Sequence, residues 1–295
     1  MRKVAIVTDR ACDIPDDLAA ELRITRVPLY VSFPDRTYRD DVDITSAEIL
    51  ERLAAGQFPK LSQPSPGDFA AVYRRAAMRA ATGCSGGRAR STDRPLSLMS
   101  IHVTARLSGI QNAARLGAGL CPDLDISIID SRTGSMGAGW VAIEAARAAL
   151  SGLDRDGVLQ VAQAAVERTA IYLVVPDLIF LHRAGRLGKV SAWLGRTLAV
   201  TPVVTAAEGV AFPYALVRGR RRALDTLVEA AFHRFGAARP LRVAVVHVAA
   251  EDDARRVLDA ARRTFNVVES ILTHAGAAVT GGLGPGAVAL CVLQV

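Results

Sequence analysis

Short apolar runs alternating with amphipathic stretches constrain this chain most. Lys3 to Thr8, Leu96 to Val103 and Leu124 to Asp130 each have the length of a buried strand, and each precedes a stretch that reads as helix. Runs without polar alternation suit a parallel sheet covered by helices on both faces. A composition break at Ser151-Gly152-Leu153 follows, and 295 residues suffice for two cores. The expected architecture is therefore α/β with two domains: an N-terminal parallel-sheet domain over 1–153 and a C-terminal α/β domain over 154–295. A hairpin expected around Glu208-Gly209 gives the second domain a mixed sheet, continued by helices near 223–235 and 251–264 and by strands at Leu241–Val248, Val267–Thr273 and Ala287–Val292.

Chemistry is expected where strands end, because ligands of α/β sheets bind beyond the carboxyl ends of the strands. The first strand ends in Thr8-Asp9 with Asp13 nearby, which either meets a ligand or caps the helix at Pro15. The next turn is Thr104-Ala105-Arg106-Leu107-Ser108-Gly109, and the third is Asp130-Ser131 with a glycine-rich link. Leu61-Ser62-Gln63-Pro64-Ser65-Pro66-Gly67-Asp68-Phe69 reads as a helix entrance, with Ser65 as N-cap, Pro66 at the first helical position and Asp68 at the third. Such an entrance offers free N–H groups and a partial positive charge to an anion. If two entrances share one cleft, Ser62, Thr104 and Ser108 can hold one small anionic group.

Other stretches are less chemical. Arg26–Phe33 reads as one strand, Pro34–Asp43 as a solvated loop whose aspartates miss EF-hand spacing, and Thr280–Gly286 as a flexible glycine-rich loop without the lysine of a P-loop. Ala81–Pro95 reads as a loop, and an apolar helix is expected around Trp193 and Leu194. Gly134–Gly139 does not have the spacing of a dinucleotide fingerprint. Arginines recur near Arg183, Arg186 and Lys189 and again over Arg218–Arg222; they form either a basic docking face or a solvated cluster.

Composition narrows the function classes. The net charge of +7 allows a nucleic acid, an anionic membrane surface or an acidic partner, but 5% aromatic residues with none interleaved in a basic run argue against nucleic acid. Four scattered cysteines form no CxxC pair, so neither a metal site nor a redox dithiol is expected. The apolar run after Lys3 is too short for a signal peptide, no run spans a bilayer, and a cytoplasmic location is expected. Hydroxyls at helix entrances in a chain that is 51% hydrophobic suit a carboxylate head and a hydrocarbon tail. Burial of such a tail is worth about 0.8 kcal/mol per methylene.

Seven stretches in order carry a resemblance over nearly the whole length: Val7-Thr8-Asp9 with Asp13, Ser62 to Phe69, Leu107-Ser108-Gly109, Ile129-Asp130-Ser131, Ala184-Gly185-Arg186-Leu187, Val217-Arg218-Gly219-Arg220 and Gly284-Pro285-Gly286. Together they resemble the DegV family, the fatty-acid-binding FakB type. The resemblance implies a lipid tunnel between the two domains and no catalysis by the chain itself. It also implies presentation of the acyl carboxylate to a separate ATP-dependent kinase that forms acyl phosphate. The head group would lie near Leu61, Ser62, Thr104, Ser108, Gly109 and Gly282, with Thr8, Asp9, Gln63, Ala105 and Asp130 close by. Arg186, Arg218 and Arg220 would face the kinase or an anionic membrane. The fatty acid is the expected ligand, with no other cofactor.

The chain departs from the family pattern at Leu61, where a Thr is usual, at Ala105 for Ser, at Gly282 for His, and at Arg10 and Ala11 for Ser and Thr. Each change removes or alters a head-group contact. Two competing readings are a small-molecule transferase or hydrolase built on Asp9, Asp130 and His247, and a lipid carrier without a kinase partner.

Overall fold

The computed structural model describes residues 3–82, 96–186, 200–207 and 209–295. Lys189, Glu208, residues 83–95 of the loop expected over Ala81–Pro95, and the helix expected through Trp193 and Leu194 lie outside the described residues. In the first half the strands are β1 (Lys3–Asp9), β2 (Thr25–Val27), β3 (Tyr30–Ser32), β4 (Thr37–Arg39), β5 (Lys60–Ser62), β6 (Leu96–His102) and β7 (Asp125–Asp130). The helices are α1 (Asp16–Glu21), α2 (Ser46–Ala54), α3 (Pro66–Thr82), α4 (Ile110–Gly119) and α5 (Ser135–Leu150). The parallel sheet runs β2-β1-β6-β7, with Val7 opposite Ser100 and His102 opposite Asp130. This register brings the polar ends of β1, β6 and β7 to one edge.

The second half holds α6 (Arg155–Glu167), β8 (Thr169–Val174), α7 (Ile179–Arg183), β9 (Val200–Ala207), β10 (Val210–Arg218), α8 (Arg220–Phe235), β11 (Pro240–His247), α9 (Glu251–Thr264), β12 (Asn266–His274), α10 (Ala277–Leu283) and β13 (Val288–Gln294). Its sheet is mixed, in the order β10-β9-β8-β13-β11-β12, with β11 and β12 the parallel pair. The hairpin expected around residue 209 is β9–β10.

α5 joins the two sheets. Its sequence is apolar nearly all round, which suits a helix buried on every side. It packs on β1 on one side and on β8, β11 and β13 on the other. At its far end Arg147 and Arg242 share Glu269, at 2.7 and 2.8 Å, tying α5 to β11 and β12. Ser151 to Leu153 lies in the turn between α5 and α6, which pack together.

Three expectations are corrected. Arg26–Phe33 is not one strand: Pro28 has no N–H for a ladder, so the chain leaves the parallel sheet after β2 and forms β3 in a separate antiparallel sheet, β4-β3-β5. Pro34–Asp43 is therefore not simply a solvated loop, since it holds β4 and Asp40 is fully buried. The glycine-rich stretch at 280–286 is not a loop at its start, because α10 continues to Leu283. Gly284 ends that helix at φ +73°, where a Cβ would lie 2.3 Å from the Phe180 ring, so only glycine fits.

Three aspartates, two of them buried, explain the start of α10. Asp13 Oδ1 accepts from Gly276 N at 2.8 Å, Asp41 Oδ1 from Ala277 N at 3.2 Å and Asp40 Oδ1 from Ala278 N at 3.0 Å. Three carboxylates thus occupy the N–H groups that a helix start leaves unpaired. Asp13 does not cap α1, whose N-cap is Pro15; its second oxygen accepts from Ser135 Oγ at 2.5 Å.

Candidate functional site

A cavity of about 1170 Å³, counting its open mouth, lies between the two sheets. Most of its polar lining comes from the first half, from Ser62 at the end of β5, Gln63 after it, Thr104 and Ser108 after β6, and Thr133 to Ser135 after β7, while Thr205 of β9 and Arg186 add to it from the second half. Its opposite wall is apolar, with Ile171 and Leu173 from β8, Val204 and Ala206 from β9, Ala211 from β10 and Ala289 from β13. α10 closes one side through Ala278, Val279, Gly282 and Leu283, and α7 adds Leu181.

Two helix entrances border the cavity. α4 starts at Gly109 and α5 at Gly134, and neither has a side-chain cap. Ser108 Oγ accepts from Ile110 N at 3.3 Å, which leaves its proton available to an acceptor. Thr104 N donates to Thr133 O at 2.8 Å, fastening the two turns together. Thr133 Oγ1 is buried and has no hydrogen-bond partner among the described residues. Gln63 lies across Gly109, where a Cβ would come within 2.9 Å of its amide.

The α3 entrance is satisfied by its own residues. Ser65 N and Oγ both donate to Asp68 Oδ2, at 2.8 and 2.7 Å, and Asp68 N donates to Ser65 Oγ at 3.1 Å. This is the capping box read from the sequence. Ser65, Pro66 and Asp68 face a separate surface groove, and Gln63 stands between that groove and the cavity. The helix starts that border the cavity are therefore those of α4 and α5 rather than that of α3.

The DegV family model matches residues 3–84 and 89–295. The chain belongs to the DegV family. Over 290 residues it is 26% identical to protein DegV of Bacillus subtilis, covering 98% of each chain. A DegV domain-containing protein of Streptomyces coelicolor is 32% identical over 292 residues, covering 99% of this chain and 98% of that one. A DegV family protein from Thermus thermophilus, solved as a fatty-acid-binding protein, superposes with a TM-score of 0.89 at 28% identity, over 99% of this chain and 100% of that one. The mixed α/β fold is that of the solved DegV proteins over the full chain.

Within this DegV fold, Leu61, Ser62, Gln63, Thr104, Ser108 and Gly282 line the cavity. Gly109 adjoins it beneath Gln63. Leu61 and Gly282 are neighbours across the cavity lining: a Cβ at Gly282 would lie 3.3 Å from Leu61 Cδ1.

Thr8, Asp9, Ala105 and Asp130 are not among the lining residues. Thr8 Oγ1 donates to Ile101 O at 2.7 Å. Asp9 pairs with His102 Nδ1 at 2.8 Å, and His102 Nε2 meets Ser100 Oγ at 2.6 Å. This Asp–His–Ser chain has the connectivity of a nucleophile and its base, but all three side chains are fully buried and Ser100 also contacts the Tyr73 hydroxyl, so the chain ties β1 to β6 and α3. Asp130 accepts from Arg132 N at 2.8 Å and Ala105 N at 3.3 Å. His247 Nδ1 accepts from Ala250 N at 3.3 Å and does not line the cavity.

The three arginines grouped by sequence separate. Arg218 is exposed at the end of β10. Arg220 pairs with Asp253 at 2.5 Å and donates to Gly286 O at 2.7 Å. Arg186 lines the cavity instead of sharing their surface. Sequence reading missed Thr133 to Ser135, whose available signal was a strand-to-helix turn like the one holding Thr104 and Ser108. It also missed the apolar wall, because nothing in an isolated strand says which of its faces borders a void.

Proposed function

We propose that this chain binds one long-chain fatty acid in the inter-sheet cavity and presents its carboxylate to a separate ATP-dependent kinase, which forms the acyl phosphate. On this reading residues 1–153 supply the head-group end and residues 154–295 most of the apolar wall. Ser62, Thr104 and Ser108, with the starts of α4 and α5, would bind the carboxylate. The observation that carries the reading is a single cavity with hydroxyls and uncapped helix starts on one side and aliphatic side chains on the other. The fatty-acid binding of the Thermus relative supports the ligand class.

The acids and imidazole that an enzyme reading would use, Asp9, Asp130 and His247, are not among the cavity-lining residues, which favours binding over turnover. Among the described residues no helix is long and apolar enough to cross a membrane. The proposed setting is the cytoplasm, with the exposed Arg218 and the neighbouring Arg220 facing the kinase or, transiently, an anionic membrane. The test is reconstitution with palmitate, ATP and a fatty acid kinase. The reading expects acyl phosphate only when all components are present; turnover of lipid by the chain alone would contradict it.

A further inference from the structure

At the start of α10 three carboxylates crowd one point. A Cβ built on Gly276 would lie 2.7 Å from Asp41 Oδ2, 3.5 Å from Asp13 Oδ1 and 3.7 Å from Asp40 Oδ1. Asp13 and Asp40 are buried, and Asp40 Oδ2 has no hydrogen-bond partner among the described residues. A carboxyl oxygen shut away from water and from donors belongs to an acid that keeps its proton. Like charges this close do not all ionise together, so the three acids titrate as a unit.

The surroundings leave the cluster short of positive charge. Arg10 Nη1 lies 3.6 Å from Asp41 Oδ2 and 3.6 Å from Asp16 Oδ1, so one guanidinium serves two acids, and Arg26 of β2 also holds Asp16. Asp9 at the end of β1 adds negative charge, and His274 at the end of β12 adds positive charge near Asp41 when it is protonated. The Cys12 and Cys291 thiols stay neutral, because burial pushes both up. α5 contributes the Ser135 hydroxyl, and α2 the Ser46 hydroxyl, which donates to Ala275 O at 2.7 Å. Burial pushes Asp13 up to about 7.

This cluster adjoins the cavity. Ser135 lines the cavity while its hydroxyl donates to Asp13 Oδ2, and α10 lines it through Ala278 and Gly282. A lipid carboxylate held at the α5 start brings another negative charge beside the three. Arg186, on the cavity lining with Nε donating to Leu107 O at 3.3 Å, stays charged throughout and adds no titration of its own.

We propose that Asp13, Asp40 and Asp41 form a proton-binding site linked to the cavity, so that an acyl carboxylate enters with uptake of a proton by the protein. This rests on the fatty-acid reading above and adds a second, coupled ligand to it. The sign follows from charge: rising pH ionises the cluster, the ionised cluster repels the carboxylate, and affinity falls. If the bound anion moves the titration of the cluster from about 7 to about 8, the protein gains about half a proton on binding at about pH 7.5.

The test is titration calorimetry of delipidated protein with palmitate and with hexadecanol, in phosphate and in Tris, whose different heats of ionisation reveal the protons exchanged. Palmitate should bind with uptake of about half a proton near pH 7.5, and its affinity should fall roughly three- to tenfold between about pH 6.5 and 8.5. Hexadecanol should bind with no proton exchange. Asp13→Asn should lose more than about half of the uptake, and Asp40→Asn takes its place if that variant fails to fold. Palmitate binding without proton uptake would overturn the linkage and leave the fatty-acid reading in place. Equal uptake with hexadecanol, or undiminished uptake in the folded variant, would overturn it as well. Binding of neither lipid by the natural protein would overturn both readings together.

Discussion

Stability should fall as pH rises through the neutral range, because of the carboxylates that hold α10 against the rest of the molecule. Asp13 is almost fully buried, and burial pushes its pKa from 3.8 to about 7 despite the hydrogen bonds from Gly276 N and Ser135 Oγ. Burial, with the charge of Asp41 beside it, pushes Asp40 in the same direction. Between those two values the folded protein holds a proton on Asp13 that the unfolded chain has released. Folding stability contributed by this group is therefore fully present below about pH 4 and is lost progressively as pH rises towards and through about 7. At about 1.4 kcal/mol per pH unit for one proton, acting over roughly two units, the loss between about pH 5 and 8 is about 2–3 kcal/mol. Asp13→Asn removes the ionisation while its amide oxygen still accepts from Gly276 N and its NH₂ can donate to Ser135 Oγ. Urea unfolding at several pH values should find the variant about 2–3 kcal/mol more stable than the natural protein near pH 8, with the difference shrinking towards pH 5. Parallel stability curves for the two proteins would refute the reasoning, since they would mean that Asp13 does not ionise differently on folding.

Three further outcomes are expected. Gly284→Ala places a Cβ against the Phe180 ring at positive φ, and calorimetry should show a loss of more than about 2 kcal/mol, with the α7–α10 contact opened. Ser108→Ala removes a hydroxyl at the α4 entrance; titration calorimetry should show palmitate affinity reduced by roughly three- to tenfold, and an unchanged dissociation constant would argue against the head-group placement. Arg218→Glu alters an exposed side chain, so palmitate affinity and thermal midpoint should hold steady while the rate of acyl phosphate formation with the kinase falls.

Local signals in the sequence read well where local physics decides. The capping box at Ser65–Asp68 depends on neighbours three residues apart, and it forms. The strands ending at Asp9, His102 and Asp130 carry their own apolar runs. The small antiparallel sheet was hidden because three-residue strands have no measurable alternation. Asp40 and Asp41 look solvated in sequence, and the arrival of α10 from more than two hundred residues away pairs both with its N–H groups and helps bury Asp40. α10 itself is masked by its glycines, since Ala-Ala-Val-Thr-Gly-Gly-Leu has weak intrinsic helicity and is held by tertiary packing and three carboxylate caps. Arg186 illustrates the same limit at the site. Its motif is visible, but whether the side chain turns inward depends on where Leu107 lies, and that is set by the meeting of the two sheets.

Mass spectrometry of an organic extract from the purified protein tests the central claim most directly. One fatty acid per protein molecule is the predicted result, released on extraction and absent from the aqueous phase. An extract empty of acyl chains, from protein that also fails to take up palmitate when it is supplied, would contradict the claim and leave the cavity to a different class of ligand.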